Sequence, residues 1–121
     1  MSEIKNTKRY DLEERTYLFA ARCRRFVKKL PKTIGNIEDG KQLIRSSGSP
    51  AANYIEANES LSRKDFFMRI RICRKEAKES RLWLSLCDTE AQKECDEERK
   101  VLMQEALELT KIFGSILEKS K

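Results

Sequence analysis

From Phe66 to Cys87 the apolar and small residues recur at alternating intervals of four and three: Phe66, Ile70, Cys73, Ala77, Ser80, Leu84 and Cys87. That spacing places all seven on one stripe of an α-helix, a heptad-like seam that only neighbouring helices can cover. Phe67, Leu82, Trp83 and Leu86 widen the apolar face near its ends. Ser62, followed three residues later by Asp65, marks the start of this helix, and Asp88-Thr89 ends it.

The same period recurs on either side. Leu12, Thr16, Phe19, Ala20, Cys23, Phe26, Val27 and Leu30 define a first helix that stops before Pro31. Asp11 with Glu14 has the spacing of a capping box at its start, leaving residues 1–10 as a polar leader. Leu102, Ala106, Leu109, Phe113, Ile116 and Leu117 form the stripe of a last helix beginning between Thr89 and Cys95. Residues 31–37 read as a connection, and a second helix is expected from Glu38–Gly40 to about Asn58. Its middle, Ser46-Ser47-Gly48-Ser49-Pro50, admits two readings. Either a loop interrupts the helix at 46–50, or one kinked helix uses small residues so that a neighbouring backbone can come close; the following Ala51 and Ala52 favour the second.

With only four glycines and two prolines in 121 residues, the chain has few places to turn. The expected fold is therefore all-α: one domain over residues 1–121, an antiparallel up-down four-helix bundle joined by short connections. Residues 1–11 are polar and charged, and no apolar run approaches the length of a membrane span, so the expected compartment is the cytoplasm. Cys23, Cys73, Cys87 and Cys95 form no C-x-x-C pair; Cys23 and Cys73 fall on apolar stripes and read as small core residues.

Histidine is absent. That removes the commonest general base and the Glu-x-x-His pairs of di-iron bundles. There is no glycine-rich phosphate loop, and Glu94, Asp96, Glu97 and Glu98 sit where carboxylates favour a helix N-terminus. The chain is read as a non-enzyme, with no catalytic residues, no metal, no cofactor and no small-molecule substrate.

Charge is distributed unevenly. Residues 1–40 hold ten basic and six acidic groups, residues 62–87 eight and three, and residues 88–121 six and nine. On the first helix Arg15, Arg22, Arg25 and Lys29 lie opposite the apolar stripe; on the third, Arg71, Arg74, Lys75, Lys78 and Arg81 crowd together. Such donors neutralise phosphate without regard to sequence, or they pair with the acidic last helix of the same or a neighbouring chain. No exposed aromatic platform for base stacking is evident, so sequence-specific reading of bases is not expected.

The stretch from Gln42 to Ala57 resembles the signature of four-helix-bundle proteins encoded in 23S ribosomal RNA intervening sequences. In that family a Leu-Arg-Ser-Ala/Ser run precedes small residues, then Asn, two variable positions and Glu; Arg45, Asn53 and Glu56 match. Asp65-Phe66-Phe67 and Arg71 to Ser80 resemble the family's third helix, and the likeness spans about residues 10–117. One departure is Ala57-Asn58, where many members carry glycine after the Glu. The resemblance implies a left-handed bundle that assembles as a homopentamer. It also implies kinship of fold with the accessory variability determinant of diversity-generating retroelements, a basic pentamer that associates with reverse transcriptase and nucleic acid.

Two candidate sites follow. Arg45, Ser49, Asn53 and Glu56 lie at helical spacing on one side of the second helix; they form either a polar network that fixes this helix or a site facing a ligand or subunit. Arg22, Arg25, Lys29, Arg71, Arg74, Lys75 and Lys78 are the candidate nucleic-acid contacts. The expected function is a homo-oligomeric bundle presenting a basic surface to RNA or a nucleoprotein. The alternative is a protein-interaction scaffold whose basic stripes pair with acidic last helices.

Overall fold

A computed structural model describes the backbone of residues 2–121 and the side chains of residues 12–121. Four helices follow in order: α1 (Ser2–Lys29), α2 (Ile34–Asn58), α3 (Arg63–Leu86) and α4 (Lys93–Glu118). Among the described residues there is no strand. Each helix packs on two others, α1 on α2 and α4, and α3 on α2 and α4, so α1 and α3 stand on opposite corners of the bundle.

Cross-helix contacts fix the directions. Glu13 meets Asn58 and Val27 meets Gly40 between α1 and α2, while Arg45 reaches Glu76 and Arg69 reaches Asn53 between α2 and α3. Arg99 reaches Cys87 and Arg63 reaches Lys119 at the two ends of the α3–α4 pair. Between α1 and α4, Arg15 meets Glu105 and Lys29 meets Glu94. Every neighbouring pair runs antiparallel, giving the up-down four-helix bundle.

The core is the set of stripes read from the sequence. Phe19, Phe26, Leu43, Ile70, Leu84, Leu102, Leu109 and Phe113 are sealed from solvent, with Cys23, Cys73 and Ala77 filling the smaller gaps. α3 begins at the Ser62 cap, whose hydroxyl accepts from the Asp65 amide.

Two boundaries differ from expectation. α1 runs through Asp11 without interruption, so the helix does not start there; the Asp11 side chain lies outside the described residues. α2 starts at Ile34 rather than near Glu38, because Thr33, in an extended conformation, accepts from the Asn36 amide at 3.1 Å. Asn36 is itself buried, donating to the carbonyls of Pro31 and Asp88 at 2.9 and 2.8 Å and accepting from the Asp88 amide at 2.8 Å. One side chain thus ties the α1–α2 connection to the α3–α4 connection.

The 46–50 alternatives resolve in favour of the helix that the sequence favoured. α2 is continuous through Pro50, so no loop interrupts it. Small residues let the neighbours approach. A Cβ on Gly48 would lie 3.1 Å from the Arg24 guanidinium, and Ser46 meets Ser80 of α3 in a buried hydroxyl pair 2.9 Å apart. Proline removes one helical donor, and tertiary packing on both sides outweighs that loss.

The α3–α4 connection is pinned just as closely. Glu90 and Ala91 take φ values of 53° and 59°, left-handed conformations that cost side-chain-bearing residues energy. Asp88 accepts from the Glu90 amide at 2.8 Å, Thr89 donates to Asp96 at 2.5 Å, and Arg99 donates to the carbonyls of Leu84 and Cys87, closing the end of α3.

Candidate functional site

The residues of the family motif separate into two linked contacts and one outlier. Arg45 of α2 crosses to α3, donating to Glu76 at 3.0 Å and also to Glu79, while its Nε reaches Gln42 at 3.2 Å. Glu79 in turn accepts from the Trp83 indole at 3.2 Å. Partial desolvation pulls the Arg45 pKa down, but the hydrogen bond and charge of Glu76, with those of Glu79, outweigh it and leave the pKa raised. Two turns on, Asn53 donates to the Ser49 carbonyl and hydroxyl, both at 3.0 Å, and accepts from Arg69 of α3 at 3.0 Å. Arg45, Ser49 and Asn53 therefore form a polar ladder between α2 and α3. Glu56 is exposed and makes no side-chain bond among the described residues; only its backbone carbonyl is engaged, by Ser60 and Glu59.

The seven candidate nucleic-acid contacts do not form one surface, because α1 and α3 are diagonal. On α1, Arg22 and Lys29 turn to α4, where they meet Glu98 at 3.3 Å and Glu94 at 3.7 Å. Arg15 joins them, gripping Glu105 with Nε at 3.0 Å and a terminal nitrogen at 2.8 Å, and reaching Glu108 at 3.1 Å. Glu94, Glu98, Val101, Glu105 and Glu108 follow a four-three spacing, so α4 turns its carboxylates along a single edge toward α1. A shallow cleft of about 250 Å³ opens in this seam, with Arg25 and Lys29 on one wall, Glu94 and Glu97 on the other, and Phe26 and Val101 as its apolar lining.

α3 is different. Arg71, Arg74, Lys75, Lys78 and Arg81 are all exposed, and among the described residues only Lys75 has a carboxylate within ion-pair distance, Glu76 at 3.8 Å. Of the three acidic residues of this helix, Asp65 lies in its first turn, while Glu76 and Glu79 lie on its α2 side and are taken by Arg45. Along the neighbouring side of α4, Lys100, Met103, Leu107, Lys111 and Gly114 step by three and four. Gly114 faces Arg74; a Cβ there would lie 3.4 Å from the Arg74 Nε, so the arginine lies flat against α4. Among the described residues, Arg71, Arg74, Lys78, Arg81, Lys100 and Lys111 have no ion-pair partner.

Lys100 and Lys111 were not among the residues singled out from the sequence. Helical spacing carried the signal, since both fall off the acidic edge of α4, but the local net charge of residues 88–121 is negative and obscures them.

The thiols are poorly suited to nucleophilic work. Burial pushes Cys23 and Cys73 up to about 12 and Cys87 to about 11. Every buried side-chain nitrogen and oxygen among the described residues has a hydrogen-bond partner. Among the same residues, no group of three or more acidic, thiol or imidazole side chains is placed to hold a metal ion, and no helix is long and apolar enough to cross a membrane.

Comparison with known proteins agrees with this architecture. A crystal structure of a protein of unknown function from the S23 ribosomal protein family of Bacteroides thetaiotaomicron superposes with a TM-score of 0.76 at 28% identity, covering 92% of this chain and 98% of that one. No curated protein matches the sequence. Residues 8–115 match the family described as 23S rRNA-intervening sequence protein. The chain belongs to the 23S rRNA-intervening sequence protein family.

Proposed function

We propose that this chain is a non-catalytic, cytoplasmic RNA-binding bundle that docks phosphate backbone on the outer α3–α4 face and works as a homo-oligomer. The observation that carries the reading is the set of cations on that face with no ion-pair partner among the described residues, whereas Arg15, Arg22 and Lys29 of α1 and Arg45 of α2 are matched by carboxylates. A field of one sign on one face attracts a polyanion and releases its counterions. Of the seven residues named from the sequence, Arg71, Arg74 and Lys78 carry the reading; Lys75 has Glu76 at 3.8 Å, and Arg25 stands on the wall of the α1–α4 cleft. Arg22 and Lys29 are engaged within the chain. The non-catalytic part of the reading rests on the missing histidine and the protonated thiols.

Oligomerisation, a pentamer by the family resemblance, would multiply a weak contact made by each subunit. Exposed apolar residues in the middle of α1, Tyr17 at 66% and Leu18 at 43%, supply area for such an association. The same residues favour the second reading, a protein-interaction scaffold without nucleic-acid binding. RNA affinity measured by fluorescence anisotropy across a salt series separates the two. The RNA reading expects a steep linear fall of log affinity with log salt, and absence of binding at low salt overturns it in favour of the scaffold.

A further inference from the structure

Building on the RNA reading, we propose that the α3–α4 face takes double-stranded, A-form RNA, lying across its shallow groove with one row of cations on each strand. The rows are Arg71, Arg74, Lys78 and Arg81 on α3, and Lys100 with Lys111 on α4. Packed helices lie about 8–10 Å apart, so the rows run side by side on adjacent helices, with Arg74 leaning across toward α4. A lone strand needs a single track of cations; two parallel tracks suit two backbones.

The relief between the rows is low. Arg74 lies over Gly114 instead of standing away from the surface, and Met103 and Leu107 are half-buried. No loop or helix end projects from this face, because α3 and α4 run along its full length. A reader of B-form DNA inserts a helix or ribbon into the major groove, and this surface offers neither. The wide, shallow groove of A-form RNA is open to a flat surface, and its contacts fall on phosphate and sugar rather than on base edges.

Stacking platforms, the usual means of holding unpaired bases, are taken elsewhere. Phe67 packs edge-on against Phe66 at 5.1 Å between ring centres, and the Arg63 guanidinium covers its ring at 4.8 Å. Trp83 is half-buried on the α2 side with its indole N–H on Glu79. Tyr17, exposed, stands on α1 at the opposite corner. Among the described residues the basic face holds no free aromatic ring, which disfavours single strands.

The test is anisotropy at one low salt concentration with a blunt RNA duplex of about two helical turns, each of its strands alone, and a DNA duplex of the same sequence. The RNA duplex is expected to bind on the order of tenfold tighter than either strand or the DNA, and a scrambled RNA duplex is expected to bind equally. Lys78→Glu with Lys111→Glu, one from each row, should lower duplex affinity at least about tenfold while circular dichroism shows the helices intact. Strands or DNA binding as tightly as the RNA duplex would overturn this inference and leave the RNA or polyanion reading standing. Failure of every probe to bind would overturn both.

Discussion

Two edges of α4 carry the contrast that organises this molecule. Along one edge Glu94, Glu98, Glu105 and Glu108 face α1, and Lys29, Arg22 and Arg15 are consumed in matching them. Along the other, Lys100 and Lys111 lie beside a row of α3 cations, and the carboxylates at its two ends, Asp96 and Glu118, are taken by Arg99 and Lys121. The seam uses Arg15, Arg22 and Lys29, and the outer face carries Arg71, Arg74, Lys78, Arg81, Lys100 and Lys111. What separates the two regions is the helical phase of the acidic residues, since a carboxylate displaced by two positions would swing to the other edge of the helix. Charge counted along the sequence therefore misleads: within the net-basic first segment Arg15, Arg22 and Lys29 are neutralised at the seam, whereas part of the net-acidic last segment contributes to the positive face.

The largest expected effect comes from exchanging charge on the two regions. Arg71→Glu with Lys78→Glu should reduce RNA affinity on the order of 10- to 100-fold with the melting temperature nearly unchanged. Arg22→Glu with Lys29→Glu should do the reverse, placing like charges opposite Glu98 and Glu94. The expected result is a lower melting temperature and RNA affinity changed by no more than about threefold. Equal losses of affinity from both pairs, measured by anisotropy on folded protein, would erase the distinction between the regions.

The α2–α3 ladder offers a third, structural use of charge. Glu76 is nine-tenths buried, so removing Arg45 leaves a carboxylate away from water with only the distant Lys75 for company. Arg45→Ala should cost about 1–3 kcal/mol in urea unfolding, less than a fully buried pair because the guanidinium is half exposed. Asn53→Ala should cost about 1 kcal/mol through the lost bonds to Ser49 and Arg69. Glu56→Ala should stay within about 0.5 kcal/mol of wild type, as expected for an exposed side chain outside the ladder. None should alter RNA affinity, and a loss of binding in Arg45→Ala at full stability would move the functional site to α2.

Much of this was legible in the sequence, and the reason is periodicity. The seven-residue seam of α3 is buried or half-buried at every position, and the Ser62 cap is where the spacing placed it. Boundaries were harder. The start of α2 depends on Asn36, whose partners are Pro31, five residues back, and Asp88, 52 residues on. No local pattern encodes the second of these. Pro50 argued for a kink or break on propensity alone, and packing against α1 and α3 decided for continuity. In the candidate sites, helical spacing brings Ser49 and Asn53 together, while Arg45 bonds separately to Glu76 and Glu79. Spacing could not tell that Glu56 would be left out, or that Arg22 and Arg71 would face opposite ways, because both depend on how the helices are arranged around the bundle.

Smaller effects should separate the seam from the basic face by salt and by pH. Arg15→Ala, which removes a two-pronged grip on Glu105, should cost about 1 kcal/mol at low salt and less as salt rises. Glu108, hydrogen-bonded by Gln104 and then by Arg15 and close to the Arg15 charge, titrates below the ordinary 4.5. A carboxyl lowered on folding leaves the native state holding fewer protons than the unfolded chain. Its stabilisation is fully present above the ordinary value and is lost as pH falls through the lowered one. The stability difference between wild type and Glu108→Gln should thus be constant near neutrality and shrink once pH drops below 4.5. The difference between wild type and Lys78→Gln should be flat over the same range, because no carboxylate is bonded to that lysine. An acid-dependent difference at Lys78 would reveal a hidden carboxylate partner and would remove it from the unpaired face.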